Sequence, residues 1–293
     1  MVLAHSMDLM ISKKDWRKIL MTKKSYEYNF NPAVAFASIT QDWYEWAEKT
    51  GANKFIVGLS GGKDSSIVAT LAVKIFGAEN VIGVIMPNGI MKKEDIDLVS
   101  SLCSELGLKY GINYFNVSIG DACDSILNKL NSWSSIKVSK DTTVNLPARL
   151  RMATLYAFAQ SLGARVICTG NLSENMVGYA TIYGDHAGAY APLADLTVQE
   201  VIQLGEWLGL NQKYTRKVPD DGLCGQTDED KLGFTYEDLD KFIRYGELED
   251  DMLEMKIMNL YEKNKFKLDT VRIPYPEMPW QNYVIKPKHC FEF

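Results

Sequence analysis

An apolar run from Phe55 to Leu59 passes straight into Ser60-Gly61-Gly62-Lys63-Asp64-Ser65, after which Ile67, Val68, Leu71, Ala72 and Ile75 recur at helical spacing as far as Gly77. A short buried strand, a tight glycine turn and a helix therefore follow one another without a linker. The same alternation continues down the chain. Val81 to Met86 reads as a strand, Lys93 to Leu106 as a helix, Ile112 to Val117 as a strand and Ile119 to Leu130 as a helix. Leu146 to Leu162 is again helical, and Arg165 to Thr169 reads as a fourth strand that ends in the polar turn Gly170-Asn171-Leu172-Ser173-Glu174. Segments of these lengths in this order imply parallel pairing through right-handed crossovers, hence an α/β fold with a doubly wound parallel sheet. In such sheets ligands bind beyond the carboxyl ends of the strands, where both polar turns fall.

Outside this alternation the pattern is helical or irregular. Val34, Phe36, Ile39, Trp43, Trp46 and Ala47 predict an amphipathic helix from Pro32 to near Gly51. Thr197 to Leu208, Thr235 to Ile243 and Glu247 to Tyr261 read as further helices, with a polar loop expected over the site between Gly209 and Lys231. Residues 1–31 form an unassigned extension, 32–268 the α/β domain, and 269–293 a tail whose prolines (Pro274, Pro276, Pro279, Pro287) favour an extended arm.

The 293 residues carry a net charge of -5, so the broad cationic surface that nucleic acid needs is not expected. No apolar run reaches membrane-spanning length. Cys103, Cys123, Cys168, Cys224 and Cys290 are odd in number and unpaired in spacing, and the first residues lack a signal-peptide core. These features fit a cytoplasmic protein whose cysteines are core residues.

The turn at residues 60–65 has the makings of an anion site. Gly61 and Gly62 let backbone N–H groups approach phosphate oxygens, the following helix adds its positive end, and Ser60 and Ser65 add hydroxyls. It is not a Walker loop, because Val57 stands in place of the first glycine of GxxxxGK[ST] and Asp64 in place of its hydroxyl residue. A carboxylate beside phosphate calls for a bridging cation, and hard oxygen ligands point to Mg²⁺. The plainer alternative is a glycine turn with an acid at a helix start. For the second turn it is capping by Asn171 or Ser173, with Glu174 in the first helical turn.

The stretch SGGKDS resembles the signature of the ATP pyrophosphatases. FIVGLSGGKDSSIVATLA, NLPARLRMATLYAFA, CTGNLSE, GYATIYGD and GLCGQTDEDKLGFTYEDLD, with a weaker NKFK, resemble in order the ammonia-dependent NAD synthetases. The resemblance spans about residues 32 to 268 and implies an adenine-nucleotide hydrolase-like fold. It implies ATP as co-substrate, Mg²⁺ as metal, deamido-NAD and ammonia as substrates, and a homodimer whose surface could come from the helix after Pro32 and from that at Leu146 to Leu162. It also implies two steps: the nicotinate carboxylate attacks the α-phosphate with loss of pyrophosphate, and ammonia then displaces AMP. Carried onto this sequence, it gives Ser60, Gly61, Gly62, Lys63, Asp64, Ser65 and Thr169 to ATP, Asp64 and Glu174 to the metal, and Arg149 and Asp185 to the dinucleotide. His186, beside Asp185, could take a proton from ammonium, although a lone loop histidine is more often solvated. No room for a glutamine-hydrolysing domain precedes the resemblance, so free ammonia or an unlinked partner is the expected nitrogen source.

The departures from the family pattern gather on substrate recognition. Ile182 stands where the family usually has Lys, Ala189 where it has an acid, Val198 where it has Lys, and Asp220 where it has Ser or Thr. They leave two alternatives: an adenylating amidotransferase for a different acid, and a nucleotide-binding module without catalysis. Retention of Asp64 and Glu174 argues against the second.

Overall fold

The computed structural model describes residues 29–89, 93–217 and 228–267. Helix α1 (Pro32–Thr50) is bounded as its sequence dictates. Asn31 accepts from the Ala33 and Val34 amides, Pro32 opens the first turn, and Gly51 closes the helix at φ 65. The chain then builds β1 (Phe55–Gly58), α2 (Lys63–Phe76), β2 (Val81–Ile85), α3 (Lys93–Glu105), β3 (Tyr114–Asn116), α4 (Gly120–Asn131), α5 (Lys140–Leu162) and β4 (Arg165–Val166).

These strands form one parallel sheet in the order β3-β2-β1-β4. Successive strands step outward from β1 through β2 to β3, and the chain then returns to pair β4 on the other side of β1. The order therefore reverses between β1 and β4, and the crevice that this reversal opens lies at their carboxyl ends. Alternation along β1 divides the core. Phe55 and Val57 join Trp43, Ala47, Ile67, Leu71, Val201 and Leu204 on one face, while Ile56 joins Val84, Ile119, Ala159 and Val166 on the other.

Beyond the sheet come α6 (Leu172–Val177), α7 (Val198–Trp207), α8 (Gln212–Thr215), α9 (Asp228–Leu232), α10 (Tyr236–Tyr245) and α11 (Asp251–Asn264). Val177, Val198, Leu232, Phe234, Tyr236, Leu239, Phe242 and Ile257 form a third apolar cluster that docks α9 to α11 against α6 and α7. The C-terminal helices are thereby fixed to the segment that carries Glu174.

The structure corrects several expected boundaries. Helix α5 starts at Lys140, ahead of the expected Leu146, because Ser139 caps it by accepting from the Thr142 amide, and the helix runs on through Pro147. Strand β4 ends at Val166, short of the expected Thr169. Past that point Cys168 N donates to Tyr190 O and Ala189 N to Val166 O, so the returning 189–190 segment takes over the pairing. Gly188 makes that approach possible, since a Cβ there would stand 2.6 Å from Cys168 N. The stretch expected as a loop between Gly209 and Lys231 contains α8 and most of α9. Tyr214 and Thr215 of α8 are fully buried, so that part belongs to the core. Residues 218–227, which include Asp220 and Cys224, and the expected extended tail lie outside the described residues.

Helix α7 crosses α2 at Gly205, where a Cβ would lie 2.7 Å from Ile67 Cδ1 and 2.8 Å from Thr215 Cγ2. Gly205→Ala should cost about 1–3 kcal/mol by overpacking, read as a lowered midpoint in denaturant unfolding. An unchanged midpoint would show that α2 and α7 separate freely.

Candidate active site

The loop after β1 is wound tightly by its own side chains. Gly61 adopts φ +78, a conformation that L side chains avoid. Ser60 Oγ accepts from Gly62 N at 3.2 Å and lies 3.1 Å from Ser65 Oγ. Ser65 Oγ in turn donates to Gly62 O at 3.2 Å. Helix α2 starts at Lys63, and its N-cap, Gly62, has no side chain with which to cap the first amides. Those amides and the helix dipole therefore face the crevice, as an anion site requires.

The second turn, after β4, arrives beside the first. Asn171, fully buried, accepts from the Glu174 amide at 3.0 Å and donates its own N–H to Glu174 Oε2 at 3.3 Å, a reciprocal capping box at the start of α6. Its remaining side-chain group, Nδ2, donates to Asp64 Oδ1 at 3.0 Å. One asparagine thus ties together the two carboxylates that the sequence analysis paired. The capping alternative and the site are compatible, because the cap is the device that places Glu174. Ser173, the next residue, is held from behind: its Oγ donates to Asp240 Oδ1 at 2.5 Å and accepts from Val198 N at 3.0 Å. Burial raises the Asp240 carboxyl above its ordinary range.

Lys63, expected at ATP, points along the helix start. Its ammonium is 2.9 Å from Asp64 Oδ2 and 5.8 Å from the centre of the Tyr236 ring, and the residue is 8% exposed. Each Asp64 oxygen accepts one bond and keeps a lone pair for another ligand. Among the described residues no group of three or more His, Cys, Asp or Glu side chains is placed to hold a metal. A cation at Asp64 and Glu174 would draw its other ligands from phosphate oxygens and water, as Mg²⁺ commonly does. Thr169, half-buried, lies between β4 and this turn.

The residues expected at the acid substrate form a second cluster. Arg149 on α5 donates from Nε to Ile182 O at 3.2 Å. Asp185 closes the same strap by accepting from the Thr181 amide at 3.2 and 3.3 Å. Between them Tyr183 sits at φ 58, the one non-glycine residue with positive φ among those described, so strain is stored here. His186 is not the solvated histidine that a loop position suggests. Its Nε2 is buried without a hydrogen-bond partner, and the ring lies 3.1 Å from where a Cβ on Gly170 would stand. Burial holds its pKa below 6.5, Lys267 adds to that, and the Asp185 carboxylate opposes it. Val198 is buried in the third apolar cluster, whereas Ala189 is exposed.

Three further polar side chains lie around these turns, Asn171 among them, whose sequence signal is that of a helix cap. Arg151, two residues past Arg149, donates to Met86 O at 3.0 Å at the end of β2. Lys217 reaches the residue 60–65 loop from the end of α8. The arginine had a signal, since it shares the NLPARLRM stretch; the other two depend on distant approach. Cys103, Cys123 and Cys168 are buried, and burial pushes their thiols up, Cys103 to about 12, so none is a poised nucleophile.

The sequence profile described as NAD synthase matches residues 37–271. The chain belongs to the NAD synthase family. An NH(3)-dependent NAD(+) synthetase of Thermococcus kodakarensis is 37% identical over 72% of this chain and 79% of its own. An NMN synthetase structure from Francisella tularensis superposes with TM-score 0.76 at 30% identity, covering 84% of this chain and 99% of that one. An NH3-dependent NAD synthetase from Campylobacter jejuni, solved with a nitrate ion, gives TM-score 0.67 at 28% identity, covering 84% of this chain and 100% of the other. This NAD synthase family member thus has the parallel α/β fold expected of it.

Removing the link in Asn171→Ala should cost about 1 kcal/mol as a lost cap, measured by denaturant unfolding. It should also lower the synthetase rate by about tenfold or more, the equivalent of 1.4 kcal/mol or more. His186 gives a pH signature. Because its folded pKa is depressed, its contribution to stability is full above 6.5 and is lost as pH falls through the folded value. The melting temperature of the wild type should therefore drop more steeply between pH 7.5 and pH 5.5, roughly the range of histidine titration, than that of His186→Gln. Parallel curves would rule this out.

Proposed function

We propose that this chain amidates deamido-NAD with ammonia at the expense of ATP, and that the crevice between β1 and β4 is where the carboxylate is adenylated. The observation that carries the reading is the uncapped start of α2 beside two carboxylates joined through Asn171. The loop amides and the Ser60 and Ser65 hydroxyls bind the phosphates departing as pyrophosphate. Thr169 lies along the nucleotide. Mg²⁺ held by Asp64 and Glu174 would offset phosphate charge there. A carboxylate is a poor acyl donor, and its mixed anhydride with AMP is a good one. The carboxylate oxygen attacks the α-phosphorus and pyrophosphate leaves; ammonia then adds to the acyl carbon, and AMP departs with the C–O bonding pair. No enzyme nucleophile is needed.

Arg149 and Asp185 are assigned to the acid substrate, on the strained strap that faces the end of β4. Arg149 supplies the fixed charge for an anionic group. A second reading has its own support: with an NMN synthetase among the structural relatives, the acceptor could be the nicotinate mononucleotide, which carries the same reacting carboxylate. A homodimer is supported by α5, a 23-residue helix in which Pro147 and Ala159 are the residues buried. Val144 and Tyr156 on it, and Trp133 and Ile136 before it, are exposed apolar groups that a second copy would cover. Among the described residues no helix is long and apolar enough to cross a membrane, and we place the protein in the cytoplasm.

Pyrophosphate release from ATP with ammonium, measured with each acceptor in turn, tests the activity. Deamido-NAD should give the higher kcat/KM, and Asp64→Asn should reduce turnover by about a hundredfold or more with the chain still folded, in the range typical for loss of transition-state charge stabilisation. Preference for the mononucleotide would establish the second reading. No release with either acceptor would refute both.

A further inference from the structure

Lys217 occupies a place that its own ion pair does not explain. A Cβ built on Gly61 would lie 3.5 Å from Lys217 Nζ, 3.2 Å from Val99 Cγ2 and 3.9 Å from Asp95 O. The ammonium therefore stands directly over the backbone of the residue 60–65 loop. From there it donates to Asp95 Oδ1, in the first turn of α3, at 2.6 Å, with side-chain exposures of 27% and 28%. An ion pair this accessible adds little to stability, so stability is a weak reason for a lysine to be held over the loop. The loop's own lysine is engaged elsewhere, since Lys63 is directed at Asp64 and Tyr236. A polyphosphate seated on the loop amides brings several negative charges beside Gly61, and Lys217 is the ammonium that faces them there.

We propose that Lys217 is a catalytic residue of the adenylation step: it binds the β- and γ-phosphates of ATP and stabilises pyrophosphate as it leaves, while Asp95 positions its ammonium over Gly61. The proposal rests on reading the residue 60–65 loop as the ATP phosphate site. In the step itself a bond forms between the substrate carboxylate oxygen and the α-phosphorus. The bond from that phosphorus to the bridging oxygen breaks, and its electron pair leaves with pyrophosphate. Lys217 keeps its proton and donates N–H bonds to the non-bridging oxygens, on which charge accumulates. A compact ammonium on a flexible four-carbon stem can pivot from Asp95 to the phosphate without backbone movement.

Calorimetry on the full chain in Mg²⁺ buffer, with pyrophosphate and AMP as separate probes, tests this. Lys217→Met should weaken pyrophosphate binding by at least about tenfold, equivalent to 1.4 kcal/mol, leave AMP binding unchanged, and lower kcat/KM for ATP in parallel. Lys217→Arg should recover most of the loss. Asp95→Asn should retain pyrophosphate binding and lower kcat, because the cation is present but less well aimed. Pyrophosphate binding that is intact in Lys217→Met, or lost together with AMP binding, overturns the proposal. Ser65→Ala separates the two readings. If it weakens pyrophosphate binding while Lys217→Met does not, the loop reading stands and the lysine assignment fails; if neither does, the loop reading itself is wrong.

Discussion

The bond from Asn171 Nδ2 to Asp64 Oδ1 spans 107 positions of sequence and holds the two ends of the crevice together. With the same side chain accepting from the Glu174 amide, it sets the separation of two carboxylates that would otherwise repel each other. The asparagine is fully buried and its polar atoms are used, and a buried polar group that is satisfied specifies geometry more sharply than apolar packing does. Behind it, Ser173 and Asp240 anchor the same turn to α7 and α10. The third apolar cluster keeps those helices in place. The C-terminal helices thus serve the site mainly by fixing α6, which presents Glu174, while Tyr236 of α10 places its ring beneath the Lys63 ammonium.

Charge is arranged locally in a chain whose net charge is -5. Lys63 balances Asp64, Lys217 stands over the loop backbone, and Arg149 and Arg151 reach carbonyls at the mouth of the crevice. Around the proposed phosphate site, backbone amides already in place would need no reorganisation during the reaction, and a lysine on a flexible stem would need only a side-chain rotation. The strap around residues 181–186, proposed to face the acid substrate, is built differently. It carries the positive φ of Tyr183 and a buried histidine nitrogen without a partner, both of which cost stability and persist where the surroundings enforce them.

Much of this was legible in the sequence because it is local. The caps at Asn31 and Gly51, the apolar runs of β1 and β2, and the SGGKDS turn follow from neighbours a few residues apart. The family resemblance added the pairing of Asp64 with Glu174. The misjudged elements share a cause. Strand β4 ended early because the returning segment at Tyr190 competed for its bonds, and α8 was hidden in a polar stretch because Tyr214 and Thr215 bury against distant helices. Helix α5 started early because a cap at Ser139 outweighed the interruption at Pro147.

By itself the sequence determined the order of strands and helices, the parallel sheet, the glycine turn after β1 and the family, since periodicity, glycine placement and motif order are properties of the chain. The tertiary structure alone decided what each charged group faces. Lys63, inside the SGGKDS turn, is directed at its neighbouring carboxylate, whereas Lys217, outside every motif quoted above, stands over Gly61. A long side chain on a flexible stem is aimed by its surroundings, and those come from elements that meet only when the sheet reverses its order between β1 and β4.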